Sequence, residues 1–166
     1  MSRLKKTISV ISFALLFAWN FGLPAYSQER YTKTVEADFE DVFFDLKEQI
    51  IGLGLVIEHI GHIDKMLNRT ALVVKGSDDL GDNTYKHAKY LQFCSATLTH
   101  EAIGIEPANI SICPFVLYIY EHLKTPGKVT LGYRNPDFGM QNLSEPISIK
   151  IHSFLKQIVD NTITDY

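Results

Sequence analysis

Residues 110–133 read ISICPFVLYIYEHLKTPGKVTLGY, and this stretch decides the fold. Ile110 to Glu121 is rich in β-branched and aromatic residues, the composition of a strand. Thr125-Pro126-Gly127 is a turn signature, and Lys128 to Tyr133 runs back as a second strand, so the two predict an antiparallel hairpin. Strand side chains alternate, which puts Val116, Tyr118 and Tyr120 on one face and Leu117 and Ile119 on the other.

The flanking chain alternates helix and strand signals. Tyr31 to Glu36 alternates as a first strand. Asp38 is a good N-cap for a helix on which Phe39, Val42, Phe43, Leu46 and Ile50 recur at helical spacing, with Gly52 and Gly54 as its stop. Leu55-Val56-Ile57 then reads as a strand with Glu58 and His59 near its end, and Ile63, Met66 and Leu67 predict a short helix opening after Asp64. Gly76 to Asn83 is rich in Gly, Ser and Asp, the composition of an exposed loop. Tyr90 to Cys94 predicts a strand, and Ser95 begins a helix through Ala102 that Gly104 and Pro107 end. After a loop at Asn135–Gln141, Ser144 caps a last helix, with Ile147, Ile151, Phe154, Leu155 and Ile158 along one stripe. The expectation is an α+β fold: a single two-layer domain whose antiparallel-containing sheet packs on helices, with a C-terminal amphipathic helix at about 144–160.

The first residues follow the secretory pattern of a positive start, an apolar run and a small-residue exit. Arg3, Lys5 and Lys6 precede the run Ile8–Trp19, Pro24 follows it, and Ala25-Tyr26-Ser27 offers a cleavage site after Ser27. The run is short for crossing a hydrocarbon core, which takes about 20 apolar residues. The reading is a signal peptide at 1–27, no stable membrane insertion after its removal, and a periplasmic or secreted domain at 28–166. The chain holds 16 basic and 19 acidic residues, and the leader takes three basic and no acidic ones, so the remainder carries 13 against 19. That balance, without a basic cluster, argues against a nucleic-acid partner.

The two cysteines of the chain, Cys94 and Cys113, stand 19 positions apart. In an oxidising compartment they read as a disulfide, as shielded thiols, or as a redox or metal site. Cys94 lies where a helix begins, a position that favours a thiolate. The spacing of a Cys-x-x-Cys redox motif is absent. His59 and His62 have a spacing that can present two imidazoles to a metal, with Gly61 between them at an expected strand-to-helix turn. Asp78, Asp79 and Asp82 lack the full pattern of a calcium loop. No sequence motif calls for a cofactor, and no catalytic constellation is readable from spacing. Tyr118, Tyr120, Tyr133 and Arg134, with Glu121, form the more telling polar set, lining a pocket or a dimer interface or else packing in the core with their hydroxyls wet. Arg134 is the first choice for holding an anionic ligand, because its planar fork matches oxyanions; a Glu121–Arg134 salt bridge is the competing explanation.

Taken in order, Met66-Leu67-Asn68-Arg69-Thr70, Phe93-Cys94-Ser95, Cys113-Pro114-Phe115, Tyr120-Glu121, Pro126-Gly127 with Val129, and Tyr133-Arg134 resemble the domain-of-unknown-function family 302 over about residues 35–136. The resemblance implies a small two-layer α+β domain that tends to dimerise. It also implies an exported protein with an association to sulfur-oxidation or respiratory systems, and it carries no agreed activity. The reading is therefore a ligand-binding or accessory module, a homodimer, with candidate ligand residues Cys94, Cys113, Tyr118, Tyr120, Glu121, Tyr133 and Arg134. The rivals are a thiol-dependent redox protein or enzyme using Cys94 and Cys113, and a metal or haem carrier.

Overall fold

A computed structural model describes residues 30–75, 84–136 and 145–166. The leader, the 76–83 loop, residues 137–141 and the Ser144 cap lie outside the described residues. Five strands, β1 (Arg30–Glu36), β2 (Ile57–His62), β3 (Tyr85–Phe93), β4 (Phe115–His122) and β5 (Lys128–Arg134), alternate with four helices, α1 (Phe39–Gly52), α2 (Ile63–Lys75), α3 (Ala96–Ile105) and α4 (Glu145–Thr162). The sheet order is β1-β5-β4-β3-β2, and every neighbouring pair is antiparallel. The expected β4–β5 hairpin is its centre, turning at Gly127 in a left-handed conformation with φ of 82°.

One face of the sheet is covered by helices. Leu91, Phe93, Leu117, Ile119, Val129 and Leu131 point from the strands into this layer. They meet Phe39, Val42, Phe43, Leu46 and Ile50 of α1 and Ile147, Ile151, Leu155 and Ile158 of α4, the two stripes expected from periodicity. The Asp38 side chain accepts from the Glu40 and Asp41 amides and so caps α1 as predicted. The α4 helix is pinned to the edge of the sheet by polar contacts as well. Tyr31 donates to Asp160 Oδ1 at 2.6 Å, and Lys156 also reaches Asp160. Burial raises the Asp160 carboxyl pKa, but Lys156 and the Tyr31 hydroxyl outweigh it and hold it below the ordinary range. No described helix is long and apolar enough to cross a membrane.

Four boundaries differ from the sequence reading. The strand expected from Ile110 begins only at Phe115, because Pro107–Ile112 forms a 3-10 turn. There the Asn109 side chain donates to the Ala102 carbonyl at 3.0 Å, so local hydrogen bonding at the end of α3 prevails over β-propensity. The strand expected at 55–57 begins at Ile57 and runs on to His62, because the Leu55 amide still bonds back to the Ile50 carbonyl. Strand β3 begins at Tyr85 rather than Tyr90, hidden by its lysines. Lys89 is only 8% exposed, yet its ammonium reaches Glu40 at 2.8 Å and lies 4.1 Å from the centre of the Phe43 ring. The helix opening near Asp64 has 13 residues and is not short.

Candidate functional site

The structure divides the seven candidate residues among three places. Cys94 and Cys113 lie at one end of the sheet, Glu121 and Tyr133 face α1 and α4, and Tyr118, Tyr120 and Arg134 line the opposite face, which those two helices leave open and which the start of α2 borders at Ile63. The competing explanation, a Glu121–Arg134 salt bridge, is ruled out by this division. Glu121 alternates with Tyr120 along β4, so its carboxylate points inward, where it meets Lys86 Nζ at 3.0 Å and accepts from the Gly127 amide at 2.8 Å. Burial raises its pKa, but the Gly127 amide, Lys86 and His87 together bring it below its ordinary value of 4.5.

A carboxyl held low in the folded state contributes stability above its unfolded pKa and loses that contribution as pH falls through the folded value. Glu121→Gln is therefore expected to lower stability at pH 7 by about 1–2 kcal/mol. The difference from the wild type should shrink as pH falls below 4.5 and vanish once the pH is below the folded value, read by denaturant titrations at stepped pH. A difference that stays constant with pH is the contrary result.

Tyr133 is fully buried and donates to the His152 backbone carbonyl at 3.1 Å, with the Tyr31 ring 5.5 Å away. Burial first, then Tyr31 and Asp160, push its phenol far above the ordinary value. It is a packing residue between β5 and α4, out of reach of any ligand on the open face. His59 and His62 are separated by strand alternation: β2 continues through Gly61, and the His59 ring lies against Tyr90 at 5.7 Å while His62 falls on the opposite face. The expected turn at Gly61 is thus a strand position, and the two imidazoles do not converge on one point. Among the described residues no cluster of three or more His, Cys, Asp and Glu is placed to hold a metal.

The cysteines come together. Their sulfurs stand at disulfide distance with Cα atoms 5.5 Å apart. The cause is the register: β3 and β4 are neighbours, Phe93 pairs with Phe115, Cys94 directly follows Phe93, and Cys113 precedes Phe115 with Pro114 between them. A cleft of about 390 Å³ opens beside them, lined also by Val56, Glu58, Thr99 and His100. Ser95 caps α3 there, with the Leu98 amide donating to its Oγ at 3.4 Å.

The open face is built on one cross-strand row. The register aligns Gly61, Tyr90, Tyr118, Gly132 and Thr32 across all five strands. A Cβ on Gly61 would stand 1.9 Å from the Tyr90 ring, and one on Gly132 would stand 3.0 Å from the Tyr118 hydroxyl. Each glycine thus lets a tyrosine lie down over it, and the two rings lean away from one another toward opposite edges. Beside them Tyr118 and Tyr120 are nearly parallel, with centroids 6.4 Å apart, and Tyr85 meets Tyr120 edge-on at 5.3 Å. A concavity of about 590 Å³ results, lined by Tyr85, Tyr90, Tyr118, Tyr120, Arg30 and Arg134. Arg30 pairs with Arg134 in the β1–β5 register, which brings two guanidinium-bearing positions to one end of the floor. Burial raises the Tyr118 phenol pKa, Tyr120 adds to the rise, and Arg30 opposes it.

Arg30, Tyr85, Tyr90 and the two glycines escaped the sequence reading. The signal that would have found them is the strand register, because Gly61 and Gly132 mean little until each is seen opposite a tyrosine.

No family model matches the sequence, and no curated protein matches it. Among solved structures the chain is similar to an uncharacterized conserved protein DUF302 from Bacillus stearothermophilus, with 16% identity and a TM-score of 0.63. The match covers 82% of this chain and 99% of that one. At this identity the likeness speaks for architecture, and it agrees with the five-stranded sheet and the C-terminal helix: the chain has the DUF302 fold.

Proposed function

We propose that this protein is a ligand-binding or accessory module whose ligand, a small molecule, sits on the open face of the sheet. The observation that carries the reading is the 590 Å³ concavity whose floor is formed by tyrosine side chains, two of them seated over glycines. Its volume falls in the range of small-molecule sites, about 300–1,000 Å³. Export to a periplasmic or extracellular compartment belongs to the same proposal. It is supported by the positive start and apolar run within residues 1–27 and by the proximity of Cys94 and Cys113. The association with sulfur or respiratory metabolism is supported by the family resemblance. The test is a thermal-shift screen of organic acids, nucleotides and quinols against the wild type and Tyr118→Ala. Compounds that stabilise the wild type and not the variant support the site. A panel that stabilises neither, or both equally, counts against it.

A second reading has a specific observation behind it. Helices cover one face of the sheet, whereas Val116 on the other is 41% exposed beside the tyrosine rings. A second copy of the chain seated on this face would make a homodimer. Sedimentation velocity of the wild type and Val116→Asp tests it: a dimer that the aspartate dissociates supports the second reading, and a monomer in both cases removes it.

A further inference from the structure

We infer that the ligand of the open face is a small flat organic anion, its aromatic or conjugated body along the tyrosines and its carboxylate or sulfonate at Arg30 and Arg134. This rests on the reading that the face binds a small molecule, and it adds the chemical class. Three observations converge on it.

The first is shape. The Tyr90 ring lies over Gly61 and the Tyr118 hydroxyl reaches over Gly132, so the floor is made of tyrosine side chains laid across neighbouring strands. Tyr85 and Tyr120 supply a further ring edge and face. Such surfaces favour a planar partner, which stacks on or meets aromatic rings with little loss of side-chain freedom.

The second is charge. Among the described residues the lining contains Arg30 and Arg134 and no aspartate or glutamate, in a chain where acidic residues outnumber basic ones, 19 to 16. Two arginine positions paired across neighbouring strands bring guanidinium donors, a group suited to an oxyanion, to one end of the concavity. The same charge decides against the other ligand that tyrosine walls attract. A quaternary ammonium seeks the faces of aromatic rings, but here it meets two positive groups at the end of the floor.

The third is reach. Tyr118 touches Gly132 on β5, the strand that carries Arg134, and Arg30 acts electrostatically on the Tyr118 phenol. The cationic end and the aromatic floor are therefore one site. A molecule with a body of one or two rings spans both.

Two fluorescent probes with the same ring system separate the claims: anilinonaphthalene sulfonate, which is anionic, and N-phenylnaphthylamine, which is neutral. The sulfonate is expected to bind about tenfold more tightly than the amine, with the preference weakening in salt. Arg30→Gln and Arg134→Gln, each checked for unchanged thermal unfolding, are expected to abolish most of that preference while leaving the amine unaffected. Tyr118→Ala is expected to weaken both probes. Equal affinities that neither arginine variant changes overturn the anion assignment and leave the site standing. Binding of both probes that Tyr118→Ala does not alter overturns the site itself, and with it the proposed function.

Discussion

Gly132→Ala is expected to destabilise the protein more than any other single methyl added to the described sheet. A Cβ at this position would stand 2.1 Å from the Tyr31 carbonyl oxygen and 3.1 Å from the Thr32 Cα, both backbone atoms of β1. Backbone in a paired strand cannot swing aside, so β1 must separate from β5 or the ladder must shift. Overpacking costs typically about 1–3 kcal/mol and more where backbone is displaced, and a loss of at least 3 kcal/mol is expected here. Gly61→Ala is the control. Its added carbon meets the ring of Tyr90, a side chain that can rotate away, so its effect should be nearer 1 kcal/mol. The ring it displaces then moves into the concavity, and probe binding should fall while the fold persists. Denaturant unfolding of the two variants measures the ranking, and a Gly132→Ala protein as stable as Gly61→Ala would contradict the backbone contact.

The paired replacement Cys94→Ala/Cys113→Ala should produce the second large effect. A bond between residues 19 positions apart removes loop entropy from the unfolded chain, worth about 3 kcal/mol in the chain-entropy model. For a domain of this size that corresponds to a fall in Tm of about 6–12 °C. What the bond encloses is α3 and the 3-10 turn, a helical excursion between two strands that pair with one another at Phe93 and Phe115. A reductant should lower the Tm of the oxidised wild type toward that of the double variant and leave the variant unmoved. Identical melting of all three samples would mean that the sulfurs are not bonded.

The helices and the centre of the sheet were legible in the sequence because each reduces to a local pattern. The α1 stripe from Phe39 to Ile50, its Asp38 cap and the Thr125-Pro126-Gly127 turn are all properties of short segments. What was not legible depends on partners distant in sequence. Lys86 and Lys89 look like solvent-facing residues until Glu121 and Glu40 are placed opposite them, and so the first half of β3 was missed. Tyr120 and Glu121 are adjacent in the chain and were grouped as one site, although strand alternation sends them to opposite faces of the sheet. The cross-strand row is further from view still, since each of its five members comes from a different strand.

The strand order has a consequence for how the chain is made. The first strand in sequence, β1, is bonded only to β5, the last, while β2 at the opposite edge reaches the centre only through β3. A polypeptide emerging amino end first therefore presents β1 long before it has anything to pair with, and the β4–β5 centre emerges behind it. Such long-range pairing closes slowly, because loop entropy must be met before the contacts form. Synthesis through residue 134 is needed before the five-stranded order exists at all. Up to that point β2, β3 and β4 can already pair among themselves, while β1 waits at the amino end for the strand that completes the edge.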